Sequence, residues 1–174
     1  ANAFLEKPFS SDRLLRTVRD LLAHEISVRF WGVRGSIPTP SRDCVGYGGN
    51  TPCVEVHVSG MEDIFIWDGG TGLRELGRSL QRTGSPVHGY LCFTHFHWDH
   101  IQGLPFFEPA YTPGNTFTLV GPAQPTAGLA AILGGQMASG YFPVGLEQFG
   151  AHLAFQGIDE GAVVLGGVHF DTLS

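Results

Sequence analysis

Thr94-His95-Phe96-His97-Trp98-Asp99-His100 lies between an apolar run ending in Cys92-Phe93 and the turn-rich Gly103-Leu104-Pro105. Three imidazoles and a carboxylate within six positions are a density of metal-ligating groups with little structural purpose of its own. In an extended segment the side chains at i and i+2 share a side, so His95 and His97 point one way. Phe96 and Trp98 then point the other way, into a core. A turn at Asp99-His100 brings those two side chains back toward a second position near the first. Neutral imidazole with carboxylate suits zinc, and also manganese or iron, better than calcium or magnesium.

Upstream of this loop, alternation of apolar and polar residues marks strands. Ile26, Val28 and Phe30 alternate with Ser27 and Arg29, which predicts a strand with one buried face. Val54, Val56 and Val58 alternate with Glu55 and His57, and Ile64-Phe65-Ile66-Trp67 gives a third strand. His57 is expected on the solvent or polar side of its strand and not as a ligand. Between the first two strands, Tyr47-Gly48-Gly49-Asn50-Thr51 lacks the Gly-Lys-Ser/Thr of a nucleotide-binding P-loop. Trp31 to Pro38 leaves the first strand through glycines and a proline; Arg34 in it either steers a phosphate or is simply solvated.

The third strand ends in Asp68-Gly69-Gly70-Thr71-Gly72, and a helix with Leu73, Leu76 and Leu80 on one side follows. A carboxylate at a strand end, beside glycines that let another backbone approach, suits the rim of a site. The competing role for Asp68 is a helix cap, for which Thr71 is better placed. Val87 to Phe93 is the strand that delivers the histidine loop, with His88 exposed near its start. Beyond His100 a short helix begins, and Phe106, Phe107 and Tyr111 either wall a substrate pocket or fill the core. Then come a strand over Phe117 to Pro122, a helix from Pro125 to Ala138 weakened by Gly134-Gly135, and a rim loop at Tyr141-Phe142-Pro143. Short strands close the chain around Leu153 and Phe155 and from Val163 to Phe170, split by Gly166-Gly167.

The 174 residues, 43% hydrophobic and 15% charged, describe a globular chain long enough to bury a core. A formal net charge of -6 argues against a general nucleic-acid-binding surface. It leaves room for a small anionic substrate, because bound metal ions would dominate the local field. No apolar run is long enough to span a membrane and no signal peptide opens the chain, which predicts a cytoplasmic protein with no membrane partner. Of the three cysteines, Cys53 and Cys92 sit in apolar runs as small buried hydrophobes.

His95-x-His97-x-Asp99-His100 resembles the signature of the metallo-β-lactamase-fold hydrolases. The resemblance implies an α/β fold, the αββα sandwich. It assigns His95 and His97 to one metal and Asp99 and His100 to a second, two Zn2+ in a complete site, with Mn2+ or Fe2+ as substitutes. Relatives with redox di-iron centres carry Glu in place of His97, so the imidazole here favours hydrolysis over oxygen chemistry. Trp31 to Pro38 and Asp68 to Gly72 resemble the phosphodiesterase and ribonuclease Z-like branch, which implies a phosphodiester or other small-molecule substrate. Catalysis would fall to Asp99, which places the nucleophile while ligating, and to Asp68, which orients a ligand or its loop. The two ions would lower the pKa of a shared water for in-line attack.

The first 25 residues read as a separate unit. Ala3 to Phe9 is a short strand entering a Lys-Pro turn, followed by a helix with Leu14, Leu15, Val18, Leu21 and Leu22 on one face. This resembles the last strand and helix of a response-regulator receiver, with Lys7 at the phosphate-contacting lysine and Phe4 at the aromatic switch. Residues 26–174 are then a metallo-β-lactamase-like domain that is C-terminally incomplete, about the first two-thirds of one. Neither His152 nor His169 has the context of the family's next metal-binding histidine, and the remaining ligands are expected beyond Ser174. A histidine-kinase phosphorelay acting through a complete receiver and a homodimer supplying ligands are the implied protein partners. A non-catalytic regulatory or binding module and an inactive fragment are the competing functions.

Overall fold

Valines at alternate positions and glycines between them set the strand boundaries seen in the computed structural model, which describes residues 25–172 and, before them, Asp12 alone. The receiver-like strand and helix, with Phe4 and Lys7, lie outside the described residues. Six strands form one sheet in sequential order: β1 (Ile26–Gly32), β2 (Cys53–Val58), β3 (Ile64–Trp67), β4 (His88–Cys92), β5 (Thr116–Pro122) and β6 (His152–Ile158). β1 to β3 pair antiparallel, whereas β3 to β6 run parallel. Parallel neighbours need a crossover. Those crossovers carry α1 (Gly72–Gln81), the short α2 (Trp98–Ile101) with two 3-10 turns after it, and α3 (Leu129–Gly135).

These three helices pack on one face. Leu73 and Leu76 of α1, Ile101 of α2 and Leu133 of α3 bury against Ile64, Ile66, Leu91 and Leu119 of the sheet. The opposite face is covered by a hairpin, β7 (Gly161–Leu165) and β8 (Val168–Thr172). It turns through Gly166 and Gly167, both at positive φ (55° and 85°), the geometry of a two-residue turn that matches strand twist. Leu165, Val163 and Phe170 of this hairpin pack on Phe65, Cys92 and Val120. The architecture is therefore α/β, layered as helices, sheet and hairpin. No helix among the described residues is long and apolar enough to cross a membrane.

Two expectations fail here. Ile26, Val28 and Phe30 are exposed, because β1 is the sheet edge and the hairpin's apolar cluster reaches only to Val56 and Val58 of β2. The inward side of β1 instead carries Trp31, whose indole N–H donates to the buried carboxylate of Glu55 at 2.7 Å. The Arg29 guanidinium lies 4.0 Å from the Trp31 ring centre. The helix expected over residues 125–138 is shortened to α3, which starts only after Gly128 and buries Leu129 and Leu133. Phe107 resolves to core: it is fully buried and edge-on to Phe117 at 5.1 Å, whereas Phe106 is exposed and Tyr111 half-buried.

Truncation of that central ring sets the scale of the core. Phe107→Ala is expected to lower the unfolding free energy by about 3–5 kcal/mol, read from urea denaturation with an unchanged slope.

Candidate metal centre

β3 and β4 are parallel neighbours, so the loops leaving their C-terminal ends lie side by side at one edge of the sheet. The β3 loop carries Asp68 and the β4 loop carries Thr94 to His100. Asp68 has a left-handed backbone (φ 61°), a conformation that a non-glycine residue adopts where the surroundings demand it. Backbone bonds clamp the two loops: Asp68 N–H donates to Cys92 O (2.8 Å), Gly69 N–H to His100 O (2.7 Å) and Gly103 N–H to Gly69 O (2.8 Å). A Cβ on Gly70 would strike the Asp99 carbonyl oxygen, so glycine there is a condition of the close approach.

Proton accounting fixes the tautomers. A carboxylate only accepts, so every group against Asp68 must donate. Thr94 N–H donates to Asp68 Oδ1 at 2.9 Å, and the Thr94 hydroxyl donates to the same carboxylate at 3.0 Å. His100 Nδ1–H donates to Asp68 Oδ2 at 2.9 Å, which turns its Nε2 toward Asp99. With its proton given to Asp68, Thr94 Oγ1 accepts from His95 Nδ1–H at 3.0 Å, and the Nε2 of His95 in that tautomer accepts from His97 Nδ1–H. Asp68 thus sets His100 directly and His95 through one hydroxyl. Thr94 had no role in the sequence reading. Its signal is a hydroxyl residue directly before His-x-His, at a strand end facing a carboxylate.

The potential metal-ligating atoms fall into two pairs. His95 Nε2 lies 3.0 Å from His97 Nδ1, and His100 Nε2 lies 3.4 Å from Asp99 Oδ2. Two ligands of a tetrahedral zinc with bonds of 2.0–2.1 Å sit about 3.3 Å apart, so each pair spans one edge of such a polyhedron. Among the described residues no three or more His, Cys, Asp or Glu side chains are arranged to hold an ion. The chemistry of the donors fits a zinc-type ion, with each pair supplying two of the three protein ligands that such a site takes. His152 and His169 lie on β6 and β8 and take no part in these pairs. His57 is bound to Glu55 at 2.7 Å on the far strand.

Asp99 is buried, and its Oδ2 accepts the Ser36 N–H at 2.8 Å. Among the described residues Ser36 is the other non-glycine residue at positive φ (68°), so one such position is the Asp68 carboxylate itself and the other binds Asp99. Burial pushes the Asp99 carboxyl upward, but the Ser36 N–H and neighbouring His100 outweigh it and hold it below the usual range. Burial, then His100 and His97, push His95 below the ordinary imidazole value. Burial and then Asp68 drive Cys92 up to about 12, and burial raises Cys53 further still, so neither thiol is a ready ligand or nucleophile.

Trp98 departs from the expected alternation. The extended run stops at His97 (ψ 150°) and Trp98 is already the first residue of α2. Phe96 therefore turns inward toward Phe93, with ring centres 6.3 Å apart, while Trp98 is 75% exposed. Thr71 precedes α1 but makes no side-chain cap; its hydroxyl instead accepts the Thr51 N–H at 2.9 Å and ties α1 to the start of β2.

No family model matches the chain, and no curated protein matches it. Among solved structures it is similar to a candidate metallo-β-lactamase from Thermotoga maritima, at 17% identity and a TM-score of 0.43. The match covers 79% of this chain and 62% of that structure, so the chain spans less than two-thirds of its length.

Asp68→Ala is expected to weaken zinc binding by about 10–100-fold, and Thr94→Val to weaken it less, as titrated against a chromophoric chelator. In the metal-free chain a lowered His95 pKa means that the unfolded state takes up its proton first. Stability then falls as pH drops through about 6.5, and Asp99 adds a second loss below about 4. The urea midpoint should be lower at pH 5.5 than at 7.5, with the gap narrowed in His95→Gln.

Proposed function

We propose that this chain carries the ligand loop of a metal-dependent hydrolase acting on phosphodiesters. His95 and His97 would hold one zinc-type ion, and Asp99 and His100 a second. The observation that carries this reading is the Asp68 carboxylate, which accepts from Thr94 and His100 at once and turns the His100 Nε2 toward a second carboxylate, Asp99. When bound, the ions supply Lewis acidity toward phosphoryl oxygens and bring the pKa of a bound water near neutrality.

The chain's own residues do the rest. Asp68 and Thr94 keep the Nδ1 protons of His100 and His95 in place, so both rings turn their Nε2 side toward the other candidate ligands. Ser36 N–H keeps Asp99 ionised and fixed in direction. The preference for phosphodiesters is supported by the loop from Val33 to Pro38, which reaches Asp99 through Ser36 and carries the exposed Arg34. Control by a phosphorelay through a receiver is a further part of the proposal, supported by the Lys7-Pro8-Phe9 segment of the sequence.

Elemental analysis of the purified chain is expected to find bound metal that His95→Ala/His97→Ala loses. The metal-loaded chain should cleave bis(4-nitrophenyl) phosphate or a cyclic nucleotide and leave a thioester intact. Metal retained by the double variant would sink the ligand assignment, and thioester cleavage without phosphodiester cleavage would sink the substrate class.

A further inference from the structure

Among the described residues β1 pairs with β2 and with no other strand, so its second edge is open. Ser59 N–H donates to Glu25 O at 2.9 Å, which makes Glu25 and Ser59 a hydrogen-bonded pair of the antiparallel ladder. Such pairs alternate along two antiparallel strands. Ser27 and Arg29 therefore bond to β2 opposite His57 and Glu55, whereas Ile26, Val28 and Phe30 aim their main-chain N–H and C=O groups at the open edge. The side chains of these three are 62%, 51% and 66% exposed. Natural edge strands are guarded by lysine, proline, a bulge or an inward charge. The stretch from Ile26 to Phe30 has none of these. Its pairing turns irregular only beyond Phe30, and Arg29 lies on the opposite face, 4.0 Å from the Trp31 ring centre.

We propose that this edge is a homodimer interface, in which β1 pairs antiparallel with β1 of a second copy of the chain. With the two-fold axis at Val28, Val28 faces its own counterpart and Ile26 faces Phe30 of the other copy. All three turn their main-chain groups outward, so each outward N–H and C=O meets its complement. The surface is complementary to itself, as a two-fold interface requires. Charge agrees with this register. On the opposite face Glu25 of each copy stands diagonal to Arg29 of the other, within reach of long side chains, and Ser27 faces Arg29. An axis at Arg29 would set two guanidinium groups directly opposite each other, and an axis at Ser27 would leave Phe30 past the end of the other copy's β1. β1 runs in the same direction as β3, so antiparallel pairing puts the two histidine loops at opposite ends of the joined sheet. Each copy keeps its own candidate ligands, and this dimer adds none from the other histidine loop.

Sedimentation velocity of the full chain over a concentration series reads the interface. A monomer–dimer equilibrium is expected. Val28→Lys, which sets two ammonium groups against each other at the axis, should weaken the dimer about a hundredfold. Phe155→Lys on β6, the other open edge among the described residues, should leave it unchanged. Cross-linking reads the register on a chain that carries no added charge. Facing residues of a hydrogen-bonded pair have Cα atoms about 5.5 Å apart, a separation that a disulfide spans. With Cys44→Ser removing the partly exposed thiol, Val28→Cys is expected to give a disulfide-linked dimer in oxidised glutathione, and Ser27→Cys to give far less. A chain that stays monomeric at every concentration, as when residues 1–24 cover the edge within one molecule, overturns the proposal. A dimer lost in Phe155→Lys but kept in Val28→Lys overturns it too, as does a dimer that Val28→Cys fails to link.

Discussion

Asp68 leaves β3 with a left-handed backbone and commits both carboxylate oxygens to the neighbouring loop, accepting from Thr94 N–H, Thr94 Oγ1 and His100 Nδ1. A buried carboxylate is tolerated only when its lone pairs are occupied, so the strained backbone and the ligand loop depend on each other. Removing the side chain would leave three donors without an acceptor and two imidazoles free to change tautomer. That makes Asp68 the joint between the sheet and the chemistry. The glycines around it follow from the same constraint. Gly69, Gly70 and Gly103 let two backbones approach closely enough to hydrogen-bond, and a side chain at Gly70 would hold the loops apart.

A second, weaker joint works from the sheet edge. Trp31 is anchored by its indole bond to buried Glu55, and the chain then passes through Gly32 into the loop whose Ser36 amide meets Asp99. Glu55 also holds His57, so the polar residues of β1 and β2 form a base for that loop. Each of the two site carboxylates is thus tied to a different strand of the sheet, and the distance between the donor pairs is set by β-sheet geometry. Sheet geometry is stiff, which suits a site whose donors must sit within a fraction of an ångström of their working positions.

Much of this was legible in residue pattern. The strands β2 to β5, α1 after Asp68, and the hairpin split at Gly166-Gly167 follow from alternation and turn residues alone. The histidine loop stands out in the sequence because its side chains have a chemistry that packing does not require. The failures share a cause. Ile26, Val28 and Phe30 alternate like a half-buried strand, but alternation says only which side chains share a face, and not whether another layer reaches it. Trp98 was assigned inward on a strand period that ended one residue too soon. Thr94 and Ser36 stayed hidden because one acts through a hydroxyl common in any loop and the other through a backbone amide, which no side-chain pattern can reveal.

Main-chain hydrogen bonds set the course of the histidine loop. Phe93 N–H donates to Val120 O, Gly69 N–H to His100 O, His100 N–H to His97 O and Gln102 N–H to Trp98 O, and all of these are main-chain bonds. The side chains of His95, His97, Asp99 and His100 are gathered by the loops after β3 and β4 and by the Ser36 amide. Side chains held in one arrangement have less freedom left to lose when they bind a ligand. The hydrogen bonds also explain why like-natured imidazoles can crowd together at ring separations of 4.0 and 4.4 Å around His95: His100 donates to Asp68, His95 to Thr94, and His97 to His95. The crowding is a property of the hydrogen-bonded frame, and the frame belongs to the sheet.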